Sequence, residues 1–229
     1  MRLPVTRYGL PQVVIYPLLV LVFIVLLLVF IKPLKILIPL ELILAVIFIW
    51  MLSFFRDPVR NIIMDESILY CPADGTITDI SEVEGIAIGK DGVPVKAIRI
   101  GMFLSIYNVH VNRFPCSVMV ENLSYKKGQF KNAGSSDAGR VNESNDIYMT
   151  RLAEPLDRLL VRQISGAVAR HIVCEAIVGS KYSQGEKFGM IKFGSRTEIY
   201  VPLGANFEVA VKTGDKVKAG LTPLLRYLP

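Results

Sequence analysis

Apolar residues are concentrated at the start of the chain and later alternate with polar ones. The run from Val13 to Ile31 is almost wholly apolar, and after a polar break at 32–35 a second apolar run extends from Ile36 to Phe55. About twenty helical residues, at roughly 1.5 Å each, cross the hydrocarbon core of a bilayer. The pattern therefore predicts two membrane helices, which either both span the bilayer or form a tight hairpin that dips into one leaflet.

Basic residues around these two runs predict their orientation. Four arginines flank the pair and two lysines lie in the connection: Arg2, Arg7, Arg56 and Arg60 against Lys32 and Lys35. By the positive-inside rule both ends of the pair lie in the cytosol. The first run has no small-residue cleavage site and is followed at once by another apolar run, so a removable signal peptide is not predicted.

Beyond Ile68 the apolar pattern shortens to strand length. Lys90–Gly92 is a hairpin turn signal, and the polar, Gly-, Ser- and Asn-rich stretch Gly128–Asn145 predicts a long loop. The sequence therefore predicts a membrane anchor over 1–57 and a mainly β (α+β) domain over 58–229. Strands are predicted at Thr76–Ser81, Val95–Met102, Val118–Tyr125, Ile147–Leu152, Arg158–Ile164, Ile172–Ile177, Thr197–Val201 and Phe207–Val211.

Composition narrows the classes of partner. The formal net charge of +6 suits an anionic lipid surface. Nucleic acid fits less well, because no basic run is interleaved with aromatic residues. The three cysteines are widely separated and form no Cys-x-x-Cys, which is typical of buried thiols in a reducing compartment. With two histidines in the chain, no metal centre is predicted.

Near the C-terminus, Gly194 precedes Ser195 within the run Gly189–Pro202. A glycine before a serine permits strained backbone geometry and brings the hydroxyl against the preceding carbonyl. Such a serine can attack that carbonyl, and the resulting ester can break by β-elimination. The new N-terminus then loses ammonia and becomes a pyruvoyl group. In most proteins Gly-Ser is simply a turn, so the surroundings decide between these interpretations.

The whole run Gly189–Pro202 resembles the maturation site of the short-form phosphatidylserine decarboxylases, pyruvoyl enzymes of membrane lipid synthesis. Phe54–Pro58 resembles the junction between anchor and catalytic domain in that family, and further segments agree in the right order, so the resemblance covers nearly all of the chain after the membrane region. It implies cleavage between Gly194 and Ser195, a pyruvoyl cofactor derived from Ser195, and 58–229 as the decarboxylase domain.

Two further segments carry the self-cleavage chemistry. Asp74 lies in a Pro-x-Asp-Gly element, and His110 in a Val-His-x-Asn-Arg-x-Pro element, both of which resemble the family. A histidine can take the serine hydroxyl proton, and an acid can hold its tautomer, as in Ser-His-Asp groups. The resemblance implies that His110 and Asp74 serve Ser195 in this way. His171 is expected to be non-catalytic.

The sequence also departs from the family pattern. Val141–Asn145 is close to an Asn-Glu-Arg-Asn run but has Ser144 in place of arginine, and Asn142 and Asn145 are weak candidates for the substrate pocket. Long-form members have two nearby histidines and Leu-Gly-Ser-Thr at the cut, whereas this chain has one histidine there and Phe-Gly-Ser-Arg. Whether His110 serves both maturation and turnover is therefore open.

The sequence thus predicts a membrane-anchored enzyme made as an inactive precursor. The resemblance implies that the pyruvoyl group forms a Schiff base with the amine of phosphatidylserine, and that loss of carbon dioxide gives phosphatidylethanolamine in phospholipid biosynthesis. Fragments 1–194 and 195–229 are expected to stay associated, because the short one contributes strands to the same sheet. The expected partner is a membrane phospholipid, with no nucleic acid and no metal. The sequence does not determine the oligomeric state, and a homo-oligomer is compatible with it.

Two alternatives remain. One is a decarboxylase of the archaeal ether lipid, archaetidylserine, because the motifs do not specify lipid tails. The other is a non-enzymatic membrane adaptor, since Val211–Leu224 resembles the end of a lipoyl or biotinyl carrier domain and Lys192 could pass for the modified lysine of such a domain. The common feature is a flattened β-barrel, which is the topology predicted for this domain.

Overall fold

The computed structural model describes residues 5–129, 141–166, 171–192 and 195–228. Two compact units divide the chain, residues 1–59 and residues 60–229. The first unit is helical and the second is built from strands. The predicted mainly β architecture preceded by two apolar helices is confirmed.

The first unit is a pair of helices, α1 (Leu10–Phe30) and α2 (Leu34–Phe54). Both are long and apolar enough to cross a membrane, by length and composition. The chain enters and leaves this pair at one end, because the Thr6 amide donates to the Phe55 carbonyl at 2.8 Å. Gly9 packs against the Phe55 ring there; an added Cβ would lie 2.2 Å from Cδ1.

The second unit contains fourteen strands within the described residues. In chain order these are β1 (Ile68–Tyr70), β2 (Gly75–Ile86), β3 (Val95–Leu104), β4 (Val111–Arg113), β5 (Val118–Lys126), β6 (Ser144–Arg151), β7 (Arg158–Ile164), β8 (His171–Cys174), β9 (Lys181–Tyr182), β10 (Lys187–Lys192), β11 (Ser195–Pro202), β12 (Phe207–Val209), β13 (Lys216–Val217) and β14 (Pro223–Tyr227).

Eight of these strands form one curled antiparallel sheet in the order β13-β2-β3-β11-β7-β6-β5-β9. Two smaller sheets, β4-β10-β8 and β1-β14-β12, complete the unit. Strand β11 lies inside the large sheet, with Ser195 opposite Leu104 of β3 and Arg196 opposite Ile164 of β7. The C-terminal segment therefore contributes an inner strand and not an edge.

The core is apolar and lies between these sheets. Its aromatic centre is Phe114, whose ring stacks on Tyr182 at 4.5 Å and contacts Phe188 at 4.9 Å between centroids. Cys71 and Cys116 are buried beside it, and burial raises the pKa of the Cys116 thiol to about 12. Such thiols are poor nucleophiles and behave as packing groups.

Several predicted elements are corrected by the structure. Six observed strands were not predicted: β1, β4, β9, β10, β13 and β14. In β10, Gly189 interrupts the apolar pattern. Most of the others are only two or three residues long, too short to show the alternation that predicts a strand. Strand β8 ends at Cys174 and not at Ile177. The predicted loop Gly128–Asn145 ends earlier, because Ser144 and Asn145 open β6, and residues 130–140 lie outside the described residues. The side chain of Asn145 is held in β6 by a hydrogen bond to Gln163 of β7. This contact is between strands, so the local sequence pattern does not show it.

Candidate active site

Ser195 opens strand β11 and is fully buried. Its Oγ makes no hydrogen bond to any part of the chain that the structure describes. An unpaired buried hydroxyl costs about 1–3 kcal/mol, and such groups are retained where function uses them. Gly194, the other half of the predicted cleavage site, lies outside the described residues.

His110 is also fully buried, in the segment between β3 and β4. Its backbone carbonyl accepts from the Ile191 amide at 3.3 Å, which extends the β4–β10 ladder by one residue. Its Nδ1 lies 2.9 Å from the carbonyl oxygen of Asn108. A carbonyl only accepts, so Nδ1 carries the hydrogen and Nε2 the lone pair. This is the tautomer that a general base needs.

A direct contact joins β11, which Ser195 opens, to β4, which begins directly after His110. Asn112 lies two positions after His110, and Thr197 two positions after Ser195. The Asn112 Nδ2 donates to Thr197 Oγ1 at 3.2 Å. Side chains two apart in a strand lie on the same face, so Ser195 and Thr197 share one face of β11. The contact of Thr197 with Asn112 therefore brings this face of β11 against β4, the strand that begins directly after His110.

Gln163 of β7 ties this contact to the rest of the sheet. Its Nε2 donates to Asn112 Oδ1 at 2.9 Å, and its Oε1 accepts from Asn145 Nδ2 at 3.1 Å. Asn145, Gln163, Asn112 and Thr197, which we call the amide relay, therefore cross four strands. Gln163 was missed in the sequence, because it directly follows Arg162 in β7 and a polar pair gives no signal that one of its members is buried.

Asp74 precedes β2, next to the end of β3 that faces Ser195. Its carboxylate is held by Arg60, with Nη1 at 2.7 Å from Oδ1 and Nη2 at 2.8 Å from Oδ2, and it accepts from the Ala219 amide at 2.8 Å. The two side chains are 9% and 6% exposed, so this is a buried ion pair. Arg60, counted above among the membrane-flanking charges, is instead a partner of a predicted site residue. The predicted interaction of Asp74 with His110 stays a prediction.

The two asparagines proposed for the substrate pocket are buried and bound to protein groups. Asn142 Nδ2 donates to the Ser165 carbonyl at 2.8 Å, and Asn145 belongs to the amide relay. These contacts hold the end of β7, next to the start of β11. A contact of either residue with substrate stays a prediction.

Arg196 follows Ser195 directly and is fully buried on the other face of β11. Its guanidinium pairs with Asp79, donates to Glu198 at 2.8 Å and donates to Thr78 Oγ1 at 2.6 Å. Burial acts to raise the pKa of Asp79, but the hydrogen bond and charge of Arg196 bring it below its ordinary value. Gly101 leaves room for the guanidinium, because an added Cβ would lie 1.9 Å from Nη2.

The burial of Lys192 is evidence against the carrier-domain alternative. It ends β10 and is 6% exposed, and burial lowers the pKa of its amine. A carrier lysine must reach solvent to be modified, which this position does not allow. His171, opposite Lys192, is exposed. Among the described residues, no group of three or more His, Cys, Asp or Glu is arranged to hold a metal ion.

Comparison with known proteins agrees with this geometry. The sequence profile described as phosphatidylserine decarboxylase matches residues 47–224. The chain belongs to this family. The phosphatidylserine decarboxylase proenzyme of Rhodopirellula baltica is 39% identical over 98% of this chain and 89% of its own length. Similar relatives of the same name come from Pelagibacter ubique, 40% identical over 79% of this chain and 81% of that protein, and Carboxydothermus hydrogenoformans, 40% identical over 82% and 84%.

The family match includes all three predicted catalytic residues. It begins inside α2 and extends to the start of β14, so it contains Asp74, His110 and Ser195. The relatives of this decarboxylase family are named proenzymes, which means that they are made as precursors. A buried serine at the start of an inner strand fits a residue that reacts within its own chain.

Proposed function

We propose that this chain matures by cutting itself between Gly194 and Ser195, and that the product decarboxylates phosphatidylserine to phosphatidylethanolamine. The observation that carries the proposal is the buried Ser195, which opens a strand bonded to β4, the strand directly after His110, in a chain whose relatives are named phosphatidylserine decarboxylase proenzymes. The cofactor would be the pyruvoyl group formed from Ser195.

Maturation starts with proton transfer from Ser195 Oγ to His110 Nε2, the nitrogen that carries the lone pair. The oxygen attacks the Gly194 carbonyl carbon, the C–N bond breaks, and the amine takes the proton. Removal of the Ser195 α-proton then breaks the Cβ–O bond and releases fragment 1–194 as a carboxylate. One water enters and one ammonia leaves as position 195 becomes pyruvoyl. Asp74 has the role of stabilising the positive charge on His110 in this sequence.

The two fragments would stay together after the cut. Strand β11 pairs with β3 on one side and β7 on the other, β14 pairs with β1, and β13 pairs with β2. These strands bury Ile199, Val201, Leu224 and Leu225 completely. Loss of the short fragment would expose that apolar surface, which is unfavourable by about 1.5–3 kcal/mol for each such side chain.

In turnover, the pyruvoyl group supplies an electrophilic carbonyl for the serine amine and accepts the electrons left when carbon dioxide departs. The protein's own part is to hold that carbonyl still and to exclude water, since position 195 is buried in the sheet. His110 is the group placed to return a proton to the α-carbon. The substrate class is a serine phospholipid; diacyl and ether tails are equally compatible with the site.

The two apolar helices support a membrane location for the enzyme, with both of their ends and the decarboxylase unit in the cytosol. Phosphatidylserine resides in the bilayer, so an anchored enzyme meets its substrate at a high local concentration.

Intact mass measurement under denaturing conditions tests the maturation. Two species are expected, the shorter beginning at position 195 and lighter by one ammonia than simple hydrolysis would give. Ser195→Ala and His110→Ala should each remain one uncut chain. Decarboxylation is then measured as phosphatidylethanolamine formed from phosphatidylserine. A cut Ser195→Ala chain, or a matured enzyme that forms no phosphatidylethanolamine, would overturn the corresponding half of the proposal.

A further inference from the structure

A tight turn with an unusual tip leads into His110. The Asn108 amide donates to the Ser105 carbonyl at 2.9 Å, and Asn108 Oδ1 accepts from the Ser105 amide and hydroxyl, each at 2.8 Å. The tip between them is Ile106 and Tyr107, which are 39% and 71% exposed. Turn tips are normally Gly, Pro, Asn, Asp or Ser, because those residues favour the turn backbone and remain solvated. An isoleucine and a tyrosine are therefore unusual residues for an exposed turn tip.

The turn is attached to the active site at both ends. Leu104, before it, pairs with Ser195, and Asn108 at its end binds Nδ1 of His110. The chain passes from the exposed Tyr107 to the fully buried His110 within three residues, which span at most about 11 Å. The tip is therefore the exposed apolar surface nearest along the chain to the catalytic histidine.

We propose that the Ser105–Asn108 turn is a membrane-contacting element, which inserts Ile106 and Tyr107 into the headgroup region of a phospholipid bilayer beside the active site. This rests on the proposed function, since a lipid substrate must pass from a bilayer to the buried position 195. Tyrosine suits this depth, because its ring is apolar and its hydroxyl stays hydrated. The two apolar helices and the net charge of +6 identify a bilayer as the partner, in preference to another protein.

A matched control is available in a second exposed apolar turn. Ile177 and Val178 are 63% and 53% exposed, and the Ser180 amide donates to the Ile177 carbonyl at 3.1 Å. That turn connects β8 with β9 and contains no site residue. Substituting both of its apolar residues removes two exposed apolar side chains from a turn, as the change at Ile106 and Tyr107 does.

The first experiment compares Ile106→Ser/Tyr107→Ser with Ile177→Ser/Val178→Ser in the matured full chain. With phosphatidylserine in vesicles, we expect the first variant to raise KM roughly tenfold, and the second to leave KM unchanged. With dihexanoyl phosphatidylserine below its micelle concentration, both should match the parent, because no bilayer is involved. An equal loss on both substrates, or an equal loss in the control variant, would overturn the proposal.

A second experiment does not depend on activity. Trp50 is the single tryptophan of the chain, so Tyr107→Trp in a Trp50→Phe background places one reporter at the tip. In proteoliposomes, brominated phosphatidylcholine should quench this indole and its emission should be blue-shifted. Val178→Trp in the same background should show neither effect. Absence of quenching for Tyr107→Trp would overturn the membrane contact even if decarboxylation is confirmed, and quenching without decarboxylation would overturn only the proposed function.

Discussion

Asn112 on β4 donates a hydrogen bond to Thr197 on β11, and this contact joins the strand that begins directly after His110 to the strand that Ser195 opens. Asn112 lies two residues after His110, and Thr197 two residues after Ser195, so a shift of either strand would change the distance between the proposed base and the proposed nucleophile. Gln163 keeps Asn112 in place by donating to its Oδ1. If the proposed self-cleavage takes place, the amide relay would position the two strands for it.

Gln163→Leu should slow self-cleavage by roughly 10- to 100-fold, since small displacements of a general base have effects of this order. The rate is measured as conversion of freshly made precursor on a denaturing gel. Gln184→Leu is the control, because Gln184 is also buried and bonded to the backbone of Asp65 and Ile68, in contacts outside the relay. Both variants should lose about 1–3 kcal/mol of stability. Equal cleavage rates in the two variants would reduce Gln163 to a purely structural residue.

The ion pair of Arg60 with Asp74 allows the charge of Asp74 to be tested separately from its structural role. Breaking a buried pair from either side costs about 3–5 kcal/mol, so Arg60→Gln and Asp74→Asn should destabilise the chain similarly. Only Asp74→Asn should abolish cleavage. The double variant Arg60→Gln/Asp74→Asn should recover stability and remain uncut, as thermal unfolding and gel analysis would show. Normal cleavage of the double variant would show that Asp74 has only a structural role.

Gly101→Ala should be tolerated poorly, because its Cβ would meet the guanidinium of Arg196. Overpacking of this kind costs about 1–3 kcal/mol. Unfolding is best measured in a Ser195→Ala background, so that every molecule is a single chain. Gly204→Ala is the matched control, since an added Cβ meets nothing within 4 Å there. A similar midpoint for the two variants would contradict the packing described for Arg196.

Asp79→Asn should weaken the matured complex in a pH-dependent manner. Asp79 belongs to the long fragment and Arg196 to the short one, and the folded-state pKa of Asp79 lies below its ordinary value of 3.8. A lowered pKa means stability that is fully present above 3.8 and lost as the pH falls through the folded value. Parent and variant should therefore differ by about 1–3 kcal/mol at neutral pH and converge in acid.

Dissociation of the short fragment in urea, followed from pH 7 downward, measures this difference. Glu84→Gln is the control, because its pair with Lys96 is solvent-exposed on both sides and should have little effect at any pH. A difference between parent and Asp79→Asn that persists unchanged into acid would show that the carboxylate charge is not what holds Arg196.

Most of the fold could be predicted from local pattern. Two long apolar runs predict the two helices, and alternation over Val95–Met102 or Val118–Tyr125 gives strands close to those observed. Strand β10 escaped this reasoning, because Gly189 has no side chain to enter the pattern. The glycine is there since an added Cβ would lie 2.1 Å from the Val173 carbonyl of the neighbouring strand. That requirement comes from a contact between two strands, so it cannot be recognised from the residues next to Gly189 in the sequence.

The sequence alone determined the residue types of the site and their order: Asp74 in its turn, His110 in its segment, and a serine after a glycine in the C-terminal run. These follow from short stretches, because each motif is a local arrangement of reactive and small residues. Tertiary structure alone decided which groups hold them. Arg60 binds Asp74, the Asn108 carbonyl sets the tautomer of His110, and Gln163 holds the Asn112 side chain. Hydrogen bonds join residues that are close in space, and Asn112 and Thr197 are 85 positions apart in the chain.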